Sequence, residues 1–99
     1  MKVYQVIIRP EAERDMTDAY DWYNRQVRGL GGEFLRCVDA AMASIQRSPV
    51  LYPQIHKRIH RILVRRFPFG IFYIIAGHDI IILAVFHMRR DPNRLKQRK

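Results

Sequence analysis

The sequence predicts a two-layer α+β domain with the order β-α-α-β-β-β. Three observations carry that expectation. Two long segments repeat apolar residues at three- and four-residue spacing and are separated only by a glycine-rich break. Three later segments are short, apolar and rich in β-branched and aromatic residues. One further segment of that kind precedes the first helix. An N-terminal strand, an antiparallel helical hairpin and a three-stranded antiparallel meander then pack as one helical layer on one sheet.

Each element has its own local reason. Residues 3–8, VYQVII, read as a strand. Pro10 ends it and suits the first turn of a helix, where its missing N–H costs nothing. Glu11, Glu13 and Asp15 place negative charge at the positive end of the helix dipole. Ala12, Met16, Ala19, Tyr20, Tyr23 and Val27 form one apolar stripe over about residues 10–27. The Gly29–Gly32 segment breaks this helix. Phe34, Leu35, Val38, Ala41, Met42 and Ile45 form a second stripe over about 31–47. So short a connection implies an antiparallel hairpin. Residues 49–58, with two prolines and no period, read as a loop. Residues 59–66, 69–76 and 79–87 read as strands, with breaks at Phe67-Pro68 and Gly77-His78-Asp79. The last two are apolar at nearly every position, so both faces should be covered. Residues 1–91 are expected to form one domain, and 92–99 a flexible basic tail with little to bury.

Composition narrows the function classes. The 99 residues allow one core, and 48% apolar residues argue against disorder. No apolar run is long enough to span a bilayer, and the apolar stretch near the N-terminus is too short for a signal peptide, so a cytoplasmic protein is expected. Cys37 is the sole cysteine, so no internal disulfide is possible, and it reads as a small buried hydrophobe. His56 and His60 lie four apart, but no cysteine or carboxylate joins them and the local charge is positive. No metal is expected there.

The charge is asymmetric. Residues 1–48 hold seven Lys/Arg and seven Asp/Glu; residues 49–99 hold eleven against two. The second half therefore carries the whole net charge of +9 and points to an anionic partner. Arg65-Arg66 and Arg89-Arg90 sit at strand ends, and Arg94, Lys96, Arg98 and Lys99 follow in the tail.

Four segments resemble the RelE/ParE toxin superfamily. PEAERD at 10–15 is similar to its P-x-A-x-x-D helix opening, and IQRSP at 45–49 to its I/L-x-x-x-P helix exit. RRFPFGIFYII at 65–75 resembles its F-P-Y-x-I-x-Y strand, and AVFHMRRDP at 84–92 its V-x-H-x-x-R-D-P end. The likeness covers nearly the whole chain. It implies the toxin of a type II toxin–antitoxin pair of the plasmid-stabilisation type, held inactive by a cognate, ParD-like antitoxin. ParE-like members act on DNA gyrase; RelE-like members cleave messenger RNA in the ribosome. Fold alone does not separate them.

The residues lean towards the binder. RelE-like toxins carry an arginine in the central strand; the matching position here, three residues before Tyr73, is Gly70. They also carry a tyrosine near the C-terminus, and none follows Tyr73. His87, with Arg89 and Arg90, is the remaining catalytic candidate for a messenger-RNA endonuclease. As a binder, the chain would use Arg65, Arg66, Arg89 and Arg90 against gyrase, and Tyr20, Trp22 and Tyr23 against the antitoxin. An amphipathic antitoxin segment is expected across the helical hairpin, and an extended or acidic one near the sheet edge. No cofactor is implied. A basic nucleic-acid-binding module stands as a third reading, weakened by the absence of interleaved aromatics.

Overall fold

The computed structural model describes residues 3–90 and 92–98. Strand β1 (Gln5–Ile8) leads through Arg9 into helix α1 (Pro10–Gln26), with Pro10 in the first turn beside Glu11 and Glu13. Gly29, at φ 87°, turns the chain into helix α2 (Leu30–Arg47). Gly31 sets how closely the two helices pack. A Cβ there would stand 2.4 Å from the Tyr20 carbonyl oxygen, and the Gly31 N–H donates to Asn24 Oδ1 at 2.8 Å. The glycine-rich break is thus both a turn and a point of close helix approach.

Strands β2 (Gln54–His56), β3 (Ile59–Leu63), β4 (Phe69–Ala76) and β5 (Asp79–His87) complete a five-stranded sheet of order β1-β5-β4-β3-β2. Strand β1 pairs parallel with β5; all other neighbours are antiparallel. The two most apolar strands, β4 and β5, occupy the interior of the sheet. One face packs on the helices through Ala12, Ala19, Phe34, Val38 and Ile45 against Ile71, Tyr73, Ile80 and Ile82. The opposite face holds a second cluster of Ile59, Phe72, Ile74, Leu83, Phe86 and Leu95.

The expected element order holds, with four local corrections. Residues 54–56 of the expected loop pair with β3 as a short edge strand, which tolerates Pro53 at its start. The expected strand over 59–66 ends at Leu63. Val64 N–H already bonds across the turn to Phe69 O, and Arg66 adopts a φ of 71°, so Arg65 and Arg66 lie in the turn. Val27 leaves the α1 stripe because it is the extended C-cap residue, and it is exposed. The expected flexible tail instead forms a 3₁₀ segment (Pro92–Arg98) that buries Leu95 on the second sheet face. Asp91 and Lys99, at the limits of that segment, lie outside the described residues, as do Met1 and Lys2.

A polar network holds the α2–β2 connection to the sheet. The Tyr73 hydroxyl donates to Pro49 O at 2.7 Å, and the buried His60 ring stacks on Tyr73 with Nδ1 2.7 Å from Tyr52 O. Burial, with a smaller contribution from Tyr52, pushes the Tyr73 phenol up to about 12. Tied by Tyr52 and with its other nitrogen 3.4 Å from Gln54, His60 serves packing, and the His56–His60 pair is not an open ligand set.

Candidate functional site

Register decides which of the charged groups meet. Phe69 lies opposite His87, and Met88 N–H donates to Pro68 O at 2.8 Å. The β3–β4 turn and the segment after β5 therefore leave the sheet at the same end. Arg65, Arg66 and Arg89 are exposed there. The contact of Arg66 with Glu33, at 3.9 Å and largely solvated, adds little. Sequence spacing had left this juxtaposition open; the antiparallel pairing of β4 with β5 supplies it.

A cleft of about 480 Å³ opens between α1 and this end of the sheet. Asp18, Trp22 and Tyr23 form its helical wall, and Phe69, His87 and Arg90 its sheet wall. Trp22 is 51% exposed and packs edge-on against Tyr23. Tyr23 is anchored in an aromatic cluster, 5.4 Å from Phe34 and 5.0 Å from Phe67, and burial pushes its phenol up. Tyr20 is separate: it lies with Met16 and Leu35 in another depression of the hairpin. The three aromatics expected to act together are thus divided two and one.

His87 is held from two sides. Its ring meets Phe69 edge-on at 5.3 Å, and its Nδ1 accepts the Arg89 N–H at 3.0 Å. That bond assigns the neutral ring's proton to Nε2 and leaves Nδ1 engaged as an acceptor. Arg90 is also engaged: its guanidinium lies 4.3 Å above the Phe86 ring and 3.7 Å from Asp15.

Asp15, on the buried face of α1, serves the strand edge beside this cleft. Strand β1 ends at Ile8, which pairs with Ile82, so the outer edge of β5 beyond that point has no neighbouring strand. Register shifts at this level of the β4–β5 pair. Here Asp15 Oδ2 accepts the Val85 N–H at 3.0 Å, and Arg98 Nη1 donates to Leu83 O at 3.3 Å. Both oxygens of Asp15 also meet the Arg98 guanidinium, with Nη2–Oδ1 at 3.1 Å. An acid and a base distant in sequence together finish the open strand edge. The signal was present: Ala12, Asp15 and Ala19 fall at three- and four-residue spacing on the buried face of α1.

Residues 6–92 match the family described as the ParE toxin of the type II toxin–antitoxin system. The chain belongs to that family. Two solved structures share the fold. One is the chromosomal ParDE toxin–antitoxin system from P. aeruginosa, with a TM-score of 0.77, 16% identity, and coverage of 86% of this chain and 96% of that one. The other is the toxin–antitoxin complex RelBE2 from Mycobacterium tuberculosis, with a TM-score of 0.57, 20% identity, and coverage of 86% and 98%. No curated protein sequence matches the chain.

In this ParE-family toxin, Gly70 and His87 lie on opposite faces of the sheet. Directly paired antiparallel residues share a face. Gly70 pairs with Phe86, a member of the second-face cluster, whereas His87 pairs with Phe69 on the helix side. A Cβ at Gly70 would lie 3.3 Å from the Arg61 side-chain stem and 3.4 Å from Met88 Sδ. The second face at this point is therefore occupied by Arg61 and Met88. Among the described residues no three His, Cys, Asp or Glu side chains gather as a metal site, and no helix is long and apolar enough to cross a membrane.

Proposed function

We propose that this toxin is a non-catalytic inhibitor of DNA gyrase, neutralised in the cytoplasm by a cognate, ParD-like antitoxin. The observation that carries the reading is the division of the catalytic candidates. A metal-free ribonuclease needs a base and phosphate-stabilising cations around one scissile bond. Here the position matched to the RelE-type arginine is a glycine on one face, and His87 stands on the other with its Nδ1 lone pair already bonded. Arg65, Arg66 and Arg89 instead form an exposed cationic end suited to docking on an acidic surface. Trp22 and Tyr23, beside that end, offer the antitoxin an apolar anchor whose occupation would also cover His87.

The test is a supercoiling assay with purified gyrase alongside a translation assay that follows messenger RNA integrity. Wild type and His87→Ala are expected to inhibit supercoiling equally. The triple charge reversal Arg65→Glu, Arg66→Glu, Arg89→Glu is expected to lose roughly tenfold or more in potency. Ribosome-dependent cutting of messenger RNA that His87→Ala abolishes would overturn the proposal in favour of an endonuclease using His87, Arg89 and Arg90.

A further inference from the structure

The second face of the sheet carries a pocket of about 350 Å³. Its floor is Ile59 and Ile74, both packed into the second-face cluster and so held in place. Three cations complete the lining: Arg9, Lys57 and Arg58. Arg9 follows the edge strand β1, whereas Lys57 and Arg58 form the β2–β3 turn at the other edge. Strands β1 and β3 are three strand spacings apart, roughly 14 Å, so the cations reach one floor from two sides. Among the described residues no carboxylate pairs with any of them. Arg9 is nonetheless oriented: its Nη1 donates to Arg98 O at 2.9 Å, which leaves most of its five donors unused. Lys57 adopts a φ of 48°, in the left-handed region that glycine or asparagine enters more readily. A strained backbone that keeps a cation at a pocket points to a ligand, because a plain hairpin turn would favour glycine there.

We infer that this pocket binds a nucleoside polyphosphate. The phosphate chain lies among Arg9, Lys57 and Arg58, and the base packs on the isoleucine floor and the aliphatic stems of the cations. Charge and shape select this class. A single phosphate neither fills the pocket nor reaches cations that enter from two sides. A fatty carboxylate brings one charge to three cations and a long tail to a floor of two isoleucines. A nucleic-acid strand must track a groove open at both ends. Here the β2–β3 turn flanks one side, and Arg9, held to the 3₁₀ segment, flanks the other. The site lies where β3 begins and β4 ends, away from Arg65, Arg66 and Arg89, and it does not rest on the gyrase reading. Through the Arg9–Arg98 contact the ligand also braces the segment that closes the β5 edge, so occupancy stabilises the fold.

Titration calorimetry on the full purified chain at about 0.15 M salt tests the site. The probes are adenosine and guanosine triphosphates, inorganic triphosphate, and a single-stranded oligonucleotide. One nucleotide is expected to bind per chain and to raise the melting temperature. Inorganic triphosphate, which lacks the base, should bind roughly tenfold more weakly. Lys57→Gln with Arg58→Gln should weaken nucleotide binding by roughly tenfold or more, whereas Arg25→Gln with Arg28→Gln, an equal loss of charge at the end of α1, should not. Lys57→Gly separates binding from folding. It relieves the left-handed backbone and removes the cation, so the melting temperature should hold or rise while affinity falls. Failure of both nucleotides to bind wild type at about 1 mM would overturn the proposal without recourse to any variant. Equal affinity for inorganic triphosphate, or equal losses in the two double variants, would reduce the pocket to general attraction of polyanions and overturn it too. An oligonucleotide that binds more tightly than the nucleotide and displaces it would assign the pocket to a strand instead.

Discussion

Replacing Asp15 by alanine tests the arrangement that closes the open edge of β5. The carboxylate is 7% exposed and serves the Val85 N–H, Arg98 and Arg90 together. Its removal leaves a buried N–H unpaired, at about 1–3 kcal/mol. Were Arg98 to stay in place as an uncompensated buried cation, the cost would reach about 3–5 kcal/mol. The Arg98 side chain is 16% exposed and sits late in the chain, so it can swing into water. That relief releases the 3₁₀ segment and exposes Leu95, about 1.5–3 kcal/mol of lost burial. Either route costs about 3 kcal/mol, a large share of the about 5–15 kcal/mol that holds a domain together. Arg98→Ala is milder. Asp15 keeps the Val85 N–H and Arg90, so about 1–2 kcal/mol is expected. With a urea slope of about 1–3 kcal/mol/M, Asp15→Ala should lower the unfolding midpoint by roughly 2 M. Asp15→Asn, which retains an acceptor for Val85, should fall between the two. A midpoint shift for Asp15→Ala smaller than that for Arg98→Ala would refute the view that the carboxylate, rather than the arginine, is the centre of this contact.

Tyr73→Phe should cost about 1–3 kcal/mol in urea unfolding, because the Pro49 carbonyl is left buried without its donor. Since burial raises the Tyr73 phenol from 10.0 to about 12, the stability it contributes is complete below pH 10 and lost as pH rises through 12. Ultraviolet titration should show a phenolate signal that still rises near pH 12 and that Tyr73→Phe removes. Gly31→Ala should destabilise the fold by about 1–3 kcal/mol or more, read as a lower melting temperature, because its Cβ meets backbone at 2.4 Å. Gly32→Ala, whose nearest neighbour is the flexible end of Arg36 at 3.6 Å, should be neutral or stabilising by about 0.5–1 kcal/mol. Leu95→Ala should cost about 2–4 kcal/mol; a change within error would show that the 3₁₀ segment does not cover the sheet.

Much of the fold was legible because its signals are local. Pro10, the glycine-rich break and the two stripes mark the helices within a residue or so of their observed ends. The β4 and β5 boundaries coincide with the apolar runs between Pro68, Gly77 and Met88. What escaped depends on partners distant in sequence. Strand β2 exists only because Gln54 reaches His60, and its own residues carry no strand period. The candidate site was legible in its residue types but not in its arrangement. Trp22 and His87 come to line one cleft through the packing of α1 on β5, and Arg65 and Arg89 come to the same end of the sheet through β-sheet register. Neither spacing is written along the chain.

The C-terminal segment shows how a correct premise can yield a wrong element. Two strands apolar on both faces require two covers, and the helical hairpin supplies only one. Read for charge, RRDPNRLKQRK has nothing to bury; read for the missing cover, it contains one large apolar residue in position to act, Leu95. The same reasoning divides the positive charge of the second half. Arg98 and Arg90 lie over the Phe86 ring and share Asp15, so they work inside the fold and are not free to meet an outside partner. Arg65, Arg66 and Arg89 remain exposed at the sheet end. An anionic partner therefore has a smaller and better-placed target than the net charge implies. Neutralising that exposed end should weaken a partner's binding with little effect on stability, whereas neutralising Arg98 should loosen the fold first.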